Sequence, residues 1–202
     1  AGNAIGEIYT KFGLTGEALE NLSEKFIKFA DLNNTDVVSS IDAVQSASEA
    51  WGVSSEDVGD LLDLLNKTSQ QTGASVDSLA SSLTTNAASL TDMNFNVEEA
   101  VSFMGQLETS GVDSASVMAA LKKALANAAK DGKTTAEALS ELQKAMEDSE
   151  SSSEATVAAM ELFGAKAGPA IAEACQSGRI NFNELGSAMT DYQGNIDTTY
   201  DA

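Results

Sequence analysis

The 202-residue chain has no histidine, one cysteine, one proline, one tryptophan and one arginine. Without histidine, Ser-His-Asp catalysis and His-ligated zinc are excluded, and the lone Cys175 allows neither an internal disulfide nor a thiolate cluster. One proline and 5% aromatics leave little to favour β-sheet or a large loop fraction. No apolar run reaches the roughly 18 residues that a membrane-spanning helix requires. Positive charge is scarce as well, since 11 Lys plus Arg stand against 31 Asp plus Glu, for a net charge of −20. Phosphate backbones are bound by clustered cations, so neither nucleic acid nor an anionic membrane surface is an expected partner. The chain opens Ala1-Gly2-Asn3-Ala4-Ile5-Gly6, with no Met and no basic stretch leading into an apolar core. That start is unlike a signal peptide and reads as a fragment excised from a longer chain.

What the sequence does contain is a recurring mark: a glycine or asparagine, an apolar residue, then a Ser, Thr, Asp or Asn. It reads Gly13-Leu14-Thr15, Gly52-Val53-Ser54, Gly73-Ala74-Ser75, Asn94-Phe95-Asn96 and Gly111-Val112-Asp113, with looser forms at Asn33-Asn34-Thr35 and Gly132-Lys133-Thr134. Glycine past a helix end adopts the left-handed conformation without a Cβ penalty, and the polar residue that follows accepts a hydrogen bond from the next helix. Gly52 to Gly73 and Gly111 to Gly132 are each 21 residues apart, so the marks divide the chain into short helices.

Apolar residues between the marks keep helical spacing. Leu19, Leu22, Phe26 and Phe29 line one face from Thr15; Val58, Leu61, Leu62 and Leu65 line another from Ser54; Val76, Leu79, Leu83, Ala87 and Leu90 follow Ser75. Asn96 with Glu99, and Thr134 with Glu137, form capping boxes. Two short helices are expected to flank Gly164 and Gly168-Pro169, with Pro169 at a first helical position. Phe182, Leu185, Met189, Tyr192, Ile196 and Thr199 make a heptad-like stripe, read as a last helix that continues in the parent chain, although Gly186 and Gly194 weaken it. The expected fold is all-α: a compact array of about 9–11 short amphipathic helices joined by tight Gly/Asn turns, with no β-sheet. The acidic run from Glu147 to Glu154 suggests a main helical repeat region over residues 1–148, with C-terminal helices over 149–202 packed on it as one domain.

Motif-like strings fall to simpler readings. Gly132-Lys133-Thr134 ends like a phosphate-binding loop, yet Asn127 stands where a glycine is required and an alanine-rich helix precedes it. Asp92, Asn94 and Asn96 match the first oxygen positions of a calcium loop, but Val97 and Phe103 replace its glycine and glutamate, and capping accounts for both asparagines. Glu98 and Glu99, like Glu147 and Asp148, are neighbours on solvated helix faces rather than facing acid–base pairs. Trp51, Phe26, Phe29 and Phe103 suit core packing better than ligand stacking, and Cys175 suits a small apolar position. Gly164-x-x-x-Gly168 would let two helices cross closely. No catalytic, cofactor-binding or metal-binding residue is expected, and no enzyme activity.

The specific signal is an ordered set of strings. Glu161-Leu162-Phe163-Gly164-Ala165-Lys166-Ala167-Gly168-Pro169-Ala170 resembles the "LFG…(A)GPA" signature of phage tail tape measure proteins of the lactococcal TP901 type, in their core region. Phe12-Gly13-Leu14-Thr15-Gly16-Glu17-Ala18-Leu19 is similar to its "GL(S/T)GEEL" opening. Ala50-Trp51-Gly52-Val53-Ser54, the stretch from Ser69 to Leu79, and Ser110-Gly111-Val112-Asp113 followed by Ala120-Leu121-Lys122 fall between them in the family's order. The chain departs from the family at Asp131-Gly132-Lys133, where members often carry proline. The resemblance implies a virion structural protein of a phage or prophage tail, made in the bacterial host cytoplasm. It implies part of a longer chain that occupies the tail lumen, sets tail length and helps tail assembly. Implied partners are the tail tube and tail assembly proteins of the same phage, with self-association open. No catalytic residue is implied here.

Two other readings remain. A generic α-helical adaptor or scaffold would show a large exposed apolar patch, and an enzyme working through carboxylates alone would show a deep pocket of convergent Asp or Glu. The charge yields a direct expectation: the isolated chain does not retain DNA in a filter-binding assay at physiological salt. Submicromolar affinity there would overturn it.

Overall fold

In the computed structural model, which describes residues 2–148, 152–184 and 191–202, glycine and asparagine end helices where the sequence marks them. Gly52, Gly73 and Gly111 take φ of 66°, 81° and 77°, and Asn34 and Asn94 take 52° and 60°. Asparagine tolerates this region better than other side-chain-bearing residues, which is why it alternates with glycine here. The described residues are all-α, with ten helices and no strand. In order they are α1 (Gly2–Phe12), α2 (Gly16–Asn33), α3 (Val37–Trp51), α4 (Val58–Thr72), α5 (Val76–Asp92), α6 (Val97–Ser110), α7 (Ser114–Lys130), α8 (Thr135–Glu147), α9 (Ser152–Gln176) and α10 (Asn195–Tyr200).

Most caps act as their residue types predict. Asn96 accepts from the Glu99 amide at 2.7 Å while Glu99 accepts from the Asn96 amide at 2.9 Å, a complete capping box. Thr134 and Glu137 repeat it at the start of α8. Asp113 accepts from the Ser116 amide at 3.0 Å. Hydrogen bonds from the Ser116 hydroxyl and amide hold the Asp113 carboxyl below its ordinary pKa, and the Thr134 amide does the same for Glu137.

Three starts differ from expectation. Thr15 precedes α2 but its hydroxyl makes no capping bond. The cap of α3 is Asp36, whose carboxylate takes the Ser39 amide at 2.9 Å, while the Thr35 hydroxyl pairs with that of Ser40. A carboxylate is the stronger acceptor at a helix N-terminus, where the dipole also favours it. After Ser54 the chain makes a turn, closed by Ser54 Oγ donating to Asp57 at 2.6 Å, and α4 begins only at Val58.

Contacts divide the chain into two compact units, Ala1–Ala87 with Met189–Ala202, and Ala88–Ala188. In the first, α1 packs on α2 and α3, and α2 packs on α3 and α4. Phe12 and Phe26 stack at 6.0 Å in its core, and Trp51 donates its indole N–H to the Leu83 carbonyl at 3.1 Å. In the second, α7, α8 and α9 pack against one another. Phe95, Phe103, Phe182 and Phe163 form a chain of rings there at successive separations of 5.6, 6.3 and 6.1 Å. The boundary expected after residue 148 falls on 149–151, outside the described residues.

The C-terminal helices depart from the sequence reading in two ways. Gly164 breaks α9 with φ 81° and ψ 164°, and Pro169 lies inside the helical run beyond that break rather than at a first position. The backbone turns where only glycine takes that conformation without strain. The heptad-like stripe does not form one helix: Phe182 lies in a turn, residues 191–194 are non-helical, and α10 starts after Gly194 at φ 74°. Leu185, Gly186 and Met189 lie outside the described residues.

The break lets the two halves of α9 meet across small residues. Ala155 and Ala159 are fully buried, and a Cβ at position 168 would lie 2.6 Å from the Met160 backbone. Backbone cannot yield as a flexible side chain does. Gly168→Ala is therefore expected to destabilise the protein by about 1–3 kcal/mol, read by urea unfolding. Gly6→Ala, on the open face of α1 where nothing lies within 4 Å, is expected to be neutral or stabilising.

Candidate functional site

When other elements cover the polar side of an amphipathic helix as well as its apolar one, the polar residues go into the interior and need partners there. Helix α4 is such a case: Val58, Leu61, Leu62, Leu64 and Leu65 are buried, and so are Asp63, Asn66 and Thr68. Asp63 has no exposed side-chain area. Its Oδ2 accepts from Lys25 Nζ of α2 at 2.6 Å and from the Gly194 amide at 2.7 Å, and its Oδ1 accepts from the Ile196 amide at 2.9 Å. One turn on, Asn66 accepts from Asn33 at 2.8 Å and donates to Asn195 at 2.8 Å. Every partner of this cluster is a structural group of the first unit. Its chemistry is to hold residues 194–196 against α4, with Asp63 engaged by three donors.

Asp63 and Asn66 carry no burial signal in the sequence: in Leu61-Leu62-Asp63-Leu64-Leu65-Asn66 the leucines share one helix face and the two polar residues lie together on the opposite one, which reads as a solvated face.

The motif-bearing residues take ordinary structural places. Lys133 pairs with Glu141 at 2.5 Å, and Thr134 caps α8, so neither forms a phosphate cradle. Asp92 pairs with Lys122 at 2.9 Å, Asn94 ends a helix and Asn96 begins one, which scatters the calcium-like oxygens. Among the described residues no group of three or more acidic or thiol side chains could hold a metal ion. Phe26, Phe29 and Phe103 are fully buried. Arg179 donates to the Ser110 carbonyl at the C-terminal end of α6 and to Glu173 at 2.8 Å, so the single arginine ties a helix end. The stretch after α9 is also held by borrowed side-chain acceptors, Gln106 for the Asn181 amide at 2.9 Å and Gln143 for the Phe182 amide at 3.0 Å.

Two of the concave surfaces in the second unit involve α8 and α9 together. One, of about 520 Å³, is lined by Gln143, Met146, Glu147 and Cys175 among others. The other, of about 360 Å³, runs along α7, α8 and α9, with Ala128, Leu142 and Leu162 on its walls and the Lys133–Glu141 pair at its side. Val157 and Met160, three residues apart on α9, are exposed.

The motif-like residues Asp92, Asn94, Asn96, Lys133 and Thr134 thus serve in ion pairs, helix ends and caps. The family described as Phage-related minor tail protein matches residues 1–161. That span is most of the chain, and the chain belongs to this family of phage tail structural proteins. No curated protein and no solved structure matches it significantly. No helix among the described residues is long and apolar enough to cross a membrane.

Cys175 offers a check on the burial of the second unit. Desolvation pushes its thiol up to about 12, with the Glu147 charge adding to the effect. At pH 8 on the order of one thiol in ten thousand is then ionised. A thiol reagent is expected to label the native protein at least a hundredfold more slowly than the urea-unfolded chain. Equal rates would mean that Cys175 is open to solvent.

Proposed function

We infer that this chain is part of a tape measure protein, the tail component that sets tail length and helps tail assembly, and that it serves as a folded docking or assembly-initiating part rather than as the measuring rod. The observation that carries the reading is the ordered set of strings from Phe12-Gly13-Leu14 to Gly168-Pro169-Ala170 in a chain of the minor tail family. Its partners in this reading are the tail tube and tail assembly proteins of the same phage, and its place is the virion. Net negative charge suits a tail lumen through which DNA must pass without sticking. The reading assigns no catalysis to the segment.

Helix stops support the docking role over the rod. As one helix, the chain would measure roughly 300 Å, but left-handed residues at Gly13, Asn34, Gly52, Gly73, Asn94 and Gly111 interrupt it every twenty residues or so. An in-frame deletion of Gly52 to Thr72 in the phage tests this, because it removes α4 with Asp63. The expected outcome is failed or irregular tail assembly, seen by electron microscopy. Viable particles with tails uniformly shorter by about 30 Å, the length of that module as helix, would make the segment a ruler and overturn the assignment. Tails of unchanged number and length would remove the tail role itself.

A further inference from the structure

The described C-terminal residues 191–202 are held to α2 and α4 by a set of polar bonds and one buried side chain. Ile196 is the one buried side chain among them; Asp191, Gln193, Asp197, Thr198 and Tyr200 are exposed. Helix α10 has six residues, too few to persist in water unaided. It forms because α2 and α4 hold it. Asp63 takes the Gly194 and Ile196 amides, Asn66 donates to Asn195, Gln70 donates to Thr199 at 3.1 Å, and Lys28 pairs with Asp197 at 2.7 Å. Outside α10, the two holding helices pack on each other and on α3.

We propose that residues 191–202 are a releasable latch on the first unit, with Asp63 as its catch. Docked, the segment is helical over residues 195–200 and covers Asp63 and Asn66. Released, it is unstructured while α1 to α4 stay folded. The groups it uncovers make this possible. Asp63, its partner Lys25 and Asn66 are polar, so water replaces the lost amides, and Ile196 is the one buried apolar side chain that the described segment itself contributes. The latch gives the first unit two states with different exposed faces, and it does not depend on the tail-length reading.

Amide hydrogen exchange on the full chain tests the latch. In the native protein, the Gly194 and Ile196 amides are expected to exchange through local opening, faster than core amides of α3 and α4. Gly194→Ala strains the latch at its φ of 74° without touching α2 or α4, since nothing lies within 4 Å of its added Cβ. That variant should speed exchange over 195–200 by roughly five- to thirtyfold and leave α2 to α4 unchanged. Asp63→Asn should bring the same segment to unstructured rates with α1 to α4 still protected. Where Asp63→Asn unfolds the unit instead, Gly194→Ala decides. A common exchange rate for residues 194–200 and α4 in the native protein, or a Gly194→Ala change that is absent or shared equally by α2 and α4, would make the segment an integral part of the core and overturn the proposal.

Discussion

A carboxylate cut off from water has to be given hydrogen-bond donors by the protein, and the first unit is arranged around supplying them to Asp63. Leaving such a charge unpaired costs several kcal/mol, which is comparable to the whole stability of a small domain. Lys25 supplies one donor and thereby ties α2 to α4. The other two are backbone amides of Gly194 and Ile196, groups that a helix start leaves without an internal partner. Two deficits cancel: the buried charge needs donors, and the short α10 needs an acceptor at its positive end. That is why residues more than a hundred positions apart in sequence belong to one unit.

The second unit is organised by a different constraint, the distance of closest backbone approach. Gly164 breaks α9, alanines at 155 and 159 are fully buried, and Gly168 sits where a Cβ would strike Met160. At such a crossing, dispersion contacts between backbones replace interdigitated side chains. Around it the aromatic chain from Phe95 to Phe163 fills the larger volume, and Arg179 with Gln106 and Gln143 ties down the non-helical stretch after α9. The string that carries the family resemblance, from Leu162 to Ala170, therefore has a packing role in this fold. Its glycines are needed by geometry before any partner is considered.

The left-handed stops bear on both fold and function. A helix ending in a residue at positive φ redirects the chain within a few residues, so each segment can fold back on its neighbours instead of extending the rod. Short helices gain little stability alone and depend on packing of their apolar faces. In this chain of a tail protein family the short helices accordingly pack back on one another within each unit.

Much of this was legible in the sequence because the signals are local. Helical spacing, the Gly/Asn stops and the capping boxes at Asn96 and Thr134 act over four or five residues, and they determined the all-α class and most helix limits. Local signals failed where two nearby acceptors competed, as at Thr35 and Asp36, and where Ser54 closed a turn instead of a helix. Phe182 and Ile196 share a heptad-like spacing in sequence, yet each belongs to a different unit, because turns separate them and burial, not period, decides where an apolar side chain goes. The Asp63 cluster was hidden for a related reason. Asp63 lies on the polar side of α4, which in sequence reads as a solvated face, and its donors come from Lys25, 38 positions away, and from residues 131 and 133 positions later. The sequence by itself determined where helices begin, end and turn an apolar face. Only the tertiary structure decided which distant donors meet a buried charge, since that pairing depends on how the chain closes in space.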